Sequence, residues 1–124
     1  MNAITLDTGA LIAVERRRQR MTTLLRLVRR EGTPVFVPSV CVAEWWRGRT
    51  DLRRDLLASV VVEHTDDALV RIAGEAMARL PSATCVDAIV MATAARHGGV
   101  VFTSDVDDLT RLREVFPNVR VLGV

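Results

Sequence analysis

The chain contains no lysine, only two cysteines and two histidines, and no apolar run long enough to cross a membrane. A membrane helix needs roughly 20 consecutive apolar residues. The first residues, MNAITLDTGA, also lack the basic start and long apolar stretch of a signal peptide. Cys41 and Cys85 have no CxxC spacing, so we expect two reduced thiols that serve as small core residues. These absences predict a cytoplasmic protein without a membrane segment or a disulfide framework.

All 17 basic residues are arginine, and the net charge is only +2. Seven of them fall between residues 16 and 30, and four more between residues 47 and 54. Guanidinium groups bind phosphate in a bidentate manner, so these clusters are candidates for contacts with a nucleic-acid backbone, and Arg16, Arg47 and Arg49 are the residues we select. A compositional bias, or an ordinary solvated helix face, explains the same arginines without any function.

Short apolar runs alternate with longer helical patterns along the chain. The runs predict strands at 2–6, 35–37, 60–62, 100–102 and 119–122, and the patterns predict helices at 8–15, 20–30, 39–47, 51–58, 84–97 and 105–116. A further helix is predicted to begin at Thr65 or Asp66 and to end at about Leu80. Parallel strands need a crossover between them, so this alternation predicts an α/β fold with a parallel sheet. At 124 residues, without repeats or linkers, the chain is expected to be a single domain over residues 1–124.

Four acidic residues lie within or beside the most hydrophobic segments: Asp7, Glu44, Asp87 and Asp105. Open parallel sheets bind ligands at the carboxyl ends of their strands, and Asp7 and Asp105 follow two predicted strands. Two carboxylates about 4 Å apart repel by roughly 4 kcal/mol at an effective dielectric constant near 20, so a convergent set needs a cation. Oxygen ligands favour Mg²⁺ or Mn²⁺. The four acids are therefore a candidate metal site.

Helix capping explains three of these acids without a metal. Asp7 fits the N-cap of the helix that follows it, residues 84–87 have the pattern of a capping box, and Asp105 with Asp108 repeats that pattern. Capping and metal binding both remain open for these residues.

Glu44 is not explained by capping, because it falls inside a predicted helix and is expected to be at least partly enclosed. The following residues, Trp45 and Trp46, suit either stacking on a base or packing in a core or an interface. Neither His64 nor His97 lies near an acid at the spacing of metal ligands, so a zinc site is not expected.

Four segments resemble, in order and spacing, the four motifs of PIN-domain ribonucleases. They are ITLDTGAL at 4–11, VAE at 42–44, VDAIVMATA at 86–94 and VFTSD at 101–105. The resemblance extends over the whole chain and, for a bare domain of this size, is strongest to the VapC toxins of bacterial type II toxin–antitoxin pairs. It implies a three-layer α/β/α fold with a central, mainly parallel sheet of four to five short strands.

The resemblance also implies a function and a site. The function is that of a Mg²⁺- or Mn²⁺-dependent endoribonuclease that cleaves RNA, forms a homodimer and is covered by a cognate antitoxin. The implied acidic site consists of Asp7, Glu44, Asp87 and Asp105, with Asp7, Asp87 and Asp105 as metal ligands. Thr103 corresponds to the supporting hydroxyl residue, and Asp107 and Asp108 compete for the place of a further acid.

Other protein classes fit less well. A receiver domain requires a lysine, and a haloacid-type phosphatase requires an aspartate two residues after the first, where this chain has Gly9. The remaining alternative is a PIN-like module that binds RNA or a protein without cutting, and acids at all four motifs count against it.

Overall fold

The computed structural model describes residues 2–124. Five strands form one sheet: β1 (Ile4–Leu6), β2 (Val35–Pro38), β3 (Val61–Glu63), β4 (Val100–Thr103) and β5 (Arg120–Gly123). Their order is β3-β2-β1-β4-β5, and every neighbouring pair is parallel. The predicted parallel sheet is therefore confirmed.

Helices connect the strands. They are α1 (Thr8–Glu15), α2 (Gln19–Glu31), α3 (Ser39–Trp45), α4 (Asp51–Ala58), α5 (Asp67–Arg79), α6 (Cys85–Arg96) and α7 (Val106–Arg111). A 3₁₀ turn at Leu112–Glu114 follows α7. No helix within residues 2–124 is long and apolar enough to cross a membrane.

The sheet is covered by helices on both faces. Every residue of the central strands β1 and β4 is buried, which requires a helical layer on each side. The chain moves from β1 towards β3 and then returns past β1 to β4, so right-handed crossovers place α5 and α6 opposite α1 to α4. Packing of α5 on α6, and of α1 on α2 and α3, is consistent with this arrangement. The three-layer α/β/α fold is thus confirmed.

Two predicted helices end earlier than expected. The helix expected to reach residue 47 ends at Trp45, because Trp46 is extended and Gly48 has a φ of 103°. The helix expected at 105–116 narrows into the 3₁₀ turn, where the Val115 amide donates to the Leu112 carbonyl. Both differences are local and leave the strand order unchanged.

One prediction about a single side chain is wrong. Cys41 is a core residue as expected, but Cys85 is exposed, because it begins α6 on the solvent side. His97 makes a contact that the sequence did not indicate: its Nε2 is 2.9 Å from Glu63 Oε1, and its ring stacks on Phe36 at 3.8 Å. A single carboxylate is not a zinc ligand set, so this contact does not contradict the expectation about zinc. The sequence hides this contact because Glu63 belongs to a strand that is distant along the chain.

Candidate active site

Asp7 lies at the end of β1 and caps α1. Its Oδ1 accepts a hydrogen bond of 2.9 Å from the Ala10 amide, and the residue is 7% exposed. Burial raises the pKa of Asp7. Hydrogen bonds from the Thr103 hydroxyl and from Ala10 oppose that rise, and the charges of Asp105 and Asp87 add to it. Asp7 is therefore a helix cap whose negative charge is poorly stabilised.

Asp105 leaves the sheet at the same edge as Asp7. The strands β1 and β4 are parallel neighbours, with Leu6 aligned to Phe102, and the strand order reverses between them. This reversal is the place where open α/β sheets bind ligands. The Asp105 side chain makes no capping bond to α7, while its amide donates to Thr103 Oγ1 at 2.8 Å. The capping interpretation is wrong for Asp105, whose carboxylate is exposed.

Asp87 occupies the first turn of α6. Its amide donates to Thr84 Oγ1 at 3.1 Å, which supplies the Thr84 half of the predicted capping box. Burial raises the pKa of Asp87. A hydrogen bond with the Thr84 side chain opposes that rise, while the charges of Asp108, Asp105 and Glu44 increase it. The carboxylates therefore act on one another across separate elements.

Glu44 is exposed, so the expectation that it would be partly enclosed is wrong. It lies in the last turn of α3 and points its carboxylate at α1, where the Thr8 hydroxyl donates to Oε1 at 2.6 Å. Cys41 lies beneath this contact and interacts with Thr8. Burial, together with the charges of Asp7 and Glu44, raises the pKa of Cys41 to about 12, so the sulfur stays a neutral thiol.

The structure distinguishes Asp108 from Asp107. Asp108 acts on Asp87 electrostatically, lines a small cavity with it, and forms an ion pair with Arg111. Asp107 is exposed, and its backbone carbonyl, rather than its carboxylate, accepts from Arg111. Only Asp108 is brought to the other acids.

We call Asp7, Glu44, Asp87 and Asp105 the acidic edge. Within residues 2–124, none of them forms an ion pair, whereas Asp108 does. No group of three or more histidine, cysteine or acidic side chains in that range is placed so that it could hold a metal ion. Mg²⁺ does not need three protein ligands, because it usually keeps several waters and binds one or two carboxylates directly. Uncompensated oxygen donors at this edge therefore fit a hydrated divalent cation.

The arginines and tryptophans selected from the sequence have different environments. Arg47 folds back on α3, where it donates to the Trp46 carbonyl at 2.8 Å, while Arg16 lines a cavity beside the acidic edge and Arg49 is exposed. Trp45 is 3% exposed and packs in the core, which excludes stacking on a base. Trp46 is partly buried and meets Trp45 edge to face.

Three features of the site were not predicted. The Thr8 and Thr84 hydroxyls contact the carboxyls of Glu44 and Asp87. The sequence marks Thr84 as a helix cap but indicates neither contact with a carboxyl. The third is the close packing of α1 on the loop after β4, where a Cβ on Gly9 would overlap Ser104 Oγ. The glycine after Asp7-Thr8 is a signal for that close approach.

Sequence comparison identifies the family. Residues 4–115 match the PIN domain family, so the chain belongs to that family. No curated protein matches the chain at the level of sequence.

Solved structures share the fold at low sequence identity. A chain of VapBC2 from Rickettsia felis, crystallised with a DNA fragment from its promoter, has a TM-score of 0.77 at 14% identity over 98% of both chains. A chain of DNA-bound VapBC from Salmonella typhimurium has a TM-score of 0.73 at 17% identity, covering 99% of this chain and 98% of that one. A chain of VapBC-5 from Mycobacterium tuberculosis has a TM-score of 0.62 at 23% identity over the full length of both chains.

Proposed function

We propose that this protein is a metal-dependent endoribonuclease that hydrolyses RNA phosphodiester bonds. Membership of the PIN family supports a nuclease. The observation that carries the proposal is that Asp7 and Asp87 lie near other acids while no basic side chain within residues 2–124 pairs with them. Burial, together with the charges of those neighbouring acids, raises the pKa values of both carboxyls. A divalent cation at the acidic edge relieves that repulsion.

Each acid has a proposed role in this reaction. Asp7 and Asp87 would be the direct ligands of the cation, and Asp105 would act on a second ion or through water. Glu44, held by Thr8, would position the attacking water, and Asp108 rather than Asp107 would be the further acid. A Mg²⁺ or Mn²⁺ ion held by these residues would lower the pKa of a water and offset the charge that develops on the phosphate. A carboxylate of the acidic edge would accept the proton of the attacking water.

Thr103 is a positioning residue in this proposal. It is fully buried, and its hydroxyl hydrogen-bonds to Asp7 while its Oγ1 accepts from the Asp105 amide. One side chain thereby fixes the distance between two acids that follow neighbouring strands. Because the hydroxyl cannot reach solvent, it has few other orientations to adopt.

The biological setting we propose is that of a VapC-type toxin in the cytoplasm. The support is a fold shared with chains of VapBC complexes. The proposal also includes a cognate antitoxin that covers the site and a homodimer. A single sheet that spans residues 4–123 supports the further proposal that residues 1–124 form one domain. Sedimentation of the purified protein, alone and with its antitoxin, tests both assemblies.

The proposed chemistry is tested by neutralising the acids without changing their shape. Asp7→Asn and Asp87→Asn should each lower Mg²⁺- or Mn²⁺-dependent RNA cleavage by about a hundredfold or more. Asn caps helices about as well as Asp, so the melting temperature should stay the same or rise. Two matched controls exist in α5: Asp66 caps that helix as Asp7 caps α1, and Asp67 occupies its first turn as Asp87 does in α6. Asp66→Asn and Asp67→Asn should retain cleavage.

Unimpaired cleavage in Asp7→Asn and Asp87→Asn would contradict the assignment of the metal site. A wild-type protein that binds RNA or a protein partner but cleaves no RNA at any Mg²⁺ or Mn²⁺ concentration would instead support the non-catalytic PIN-like module.

A further inference from the structure

An open cavity of about 350 Å³ is lined by residues close to two acids of the acidic edge in the chain, although none of the four acids lines it. Gly9 follows Asp7 by two residues, Ser104 directly precedes Asp105, and α1 packs closely on Ser104 at Gly9. The other lining residues are Ile12 and Ala13, which we call the floor, Arg16 and Arg18, which we call the rim, and Val124.

The arginines of the rim are available to a ligand. Within residues 2–124, the side chains of Arg16 and Arg18 make no hydrogen bond or ion pair, in contrast to Arg53 and Arg96. The chain turns at Arg17, which has a φ of 56°, and the Arg17 and Arg18 amides donate to carbonyls of α1 at 3.0 Å. The turn brings residues 16 and 18 to the cavity, whereas Arg17 does not line it.

The chemistry of the lining matches a nucleotide. Guanidinium groups recognise phosphate in a bidentate manner. The floor offers the partly buried Ile12 and the buried Ala13 as apolar surface for a ribose or base. The volume lies within the roughly 300–1,000 Å³ of small-molecule sites.

We propose that this cavity binds the nucleotide adjoining the scissile phosphodiester, with its phosphate on Arg16 and Arg18 and its ribose or base against Ile12 and Ala13. The inference rests on the proposed ribonuclease function and adds a second point of attachment to it. An RNA strand bound at both the acidic edge and the cavity is held at two points, one on each side of a nucleotide. This attachment orients the phosphodiester bond that is cleaved.

The test compares two double variants, each of which removes two arginine charges from the segment after α1. Arg16→Gln/Arg18→Gln removes both arginines of the rim, and Arg17→Gln/Arg20→Gln removes two exposed arginines of the same segment that do not line the cavity. Both double variants change the net charge by the same amount. With an RNA oligonucleotide that the wild type cleaves, we expect KM to rise about tenfold or more in the first variant, as for the loss of a charge-assisted hydrogen bond. The second should change KM less than about threefold.

Altered substrates then locate the contact. In a set of RNA oligonucleotides, each substrate has one phosphate near the cleavage site replaced by a neutral methylphosphonate. The ribose next to that phosphate is 2′-O-methylated, and the matched reference substrate carries the same 2′-O-methyl group with an ordinary phosphate. One replacement beside the cut should raise KM for the wild type and for Arg17→Gln/Arg20→Gln, but not further for Arg16→Gln/Arg18→Gln. This loss of additivity assigns that phosphate to the rim.

Equal KM values for the two double variants, or additive effects at every phosphate, would overturn the assignment of the cavity while leaving the ribonuclease function intact. Unchanged cleavage together with weaker binding of the antitoxin would assign the cavity to the protein partner and also overturn it. If the wild type cleaves no RNA, the proposed function and this inference fail together.

Discussion

Two groups of acids in this chain occupy opposite electrostatic environments. In the first, the acidic edge, burial and neighbouring carboxylates raise the pKa values of Asp7 and Asp87. In the second, which we call the arginine-paired cluster, Glu63 and Asp66 both bind Arg96. Burial pushes the pKa of Glu63 upward, but His97 and Arg96 outweigh it and lower that pKa, and the pKa of Asp66 falls to about 2, mainly through its hydrogen bond with Arg96.

The difference shows how the chain uses a carboxylate. At the arginine-paired cluster the protein supplies its own cation, and the result is a structural link between α6, the end of β3 and the start of α5. At the acidic edge, none of the four carboxylates forms an ion pair with a basic side chain of residues 2–124. Carboxylates therefore stabilise the fold at the arginine-paired cluster. Without an external cation, they lower its stability at the acidic edge.

The largest expected effect on stability comes from removing the cation of the arginine-paired cluster. Arg96→Met should lower the free energy of unfolding by about 1–2 kcal/mol, because the less exposed Glu63 loses its charge-assisted hydrogen bond. The exposed pair with Asp66 adds little to this loss. Urea denaturation measures the change. Arg71→Met, which breaks a highly exposed pair with Asp67, is the matched control and should cost less than about 0.5 kcal/mol. Equal losses would mean that the cluster is no more than another surface pair.

The next effect concerns a hydroxyl at the acidic edge. Thr8→Val keeps the shape of the side chain but removes the donor to Glu44, so kcat should fall about tenfold with little change in KM. Thr8→Ser retains the hydroxyl and should stay within about threefold of the wild type. If serine lowers kcat as far as valine does, packing rather than the hydrogen bond is what matters at this position.

Mg²⁺ should act on one group of acids only. At about ten times its dissociation constant, a cation bound to the native state alone raises the free energy of unfolding by about 1.4 kcal/mol. We expect this shift for the wild type and for Arg96→Met, and little or none for Asp87→Asn. Thermal melts with and without Mg²⁺ measure it. The same shift in all three proteins would place the bound ion away from the acidic edge.

The smallest effect is a gain in stability. In metal-free buffer, Asp7→Asn should raise the free energy of unfolding by up to about 1 kcal/mol at neutral pH, because Asn still accepts from the Ala10 amide but carries no buried charge. A carboxyl whose pKa is raised on folding destabilises the native state as pH rises from 3.8 through the raised value. The advantage should therefore be absent in acid and present at neutral pH.

The ionised Asp66 carboxylate has the opposite effect on stability and stabilises the native state at neutral pH. Its pKa is lowered to about 2, so its contribution is present above 3.8 and is lost as pH falls towards 2. Asp66→Asn should thus be less stable than the wild type at neutral pH, with the difference disappearing in acid. Denaturation curves of the wild type and both variants between about pH 2 and pH 8 compare the two groups directly. A stability difference of the same sign for Asp7→Asn and Asp66→Asn at neutral pH would contradict the contrast between the groups.

Much of this architecture is readable from the sequence, because its signals are local. All five apolar runs are strands of one sheet. Residues such as Ile4 and Val101 are buried because helices cover both faces of the sheet, and this burial is why the central strands are continuously apolar in the sequence. Helix starts marked by Asp66 and Thr84 were also found, because a capping side chain acts within three residues.

Charge pairing could not be read in the same way. Glu15 ends an apolar stretch just as Asp7 does, yet it binds the Arg53 side chain at 2.9 Å and the Trp45 indole at 3.0 Å. Its partners lie 30 and 38 residues away in the chain. Local patterns place an acid on a helix but do not say whether an arginine reaches it, and the same limit hid the contact between Glu63 and His97.

The position of β1 governs when the acidic edge can form during synthesis. This strand comes first in the chain but lies in the middle of the sheet, and its neighbour β4 delivers Asp105, which follows Asp7 by 98 residues. A nascent chain that has not yet produced β4 contains Asp7, Glu44 and even Asp87 without the strand that aligns Asp7 with Asp105. A partly made molecule therefore lacks the complete set of acids until β4 and Asp105 have been synthesised.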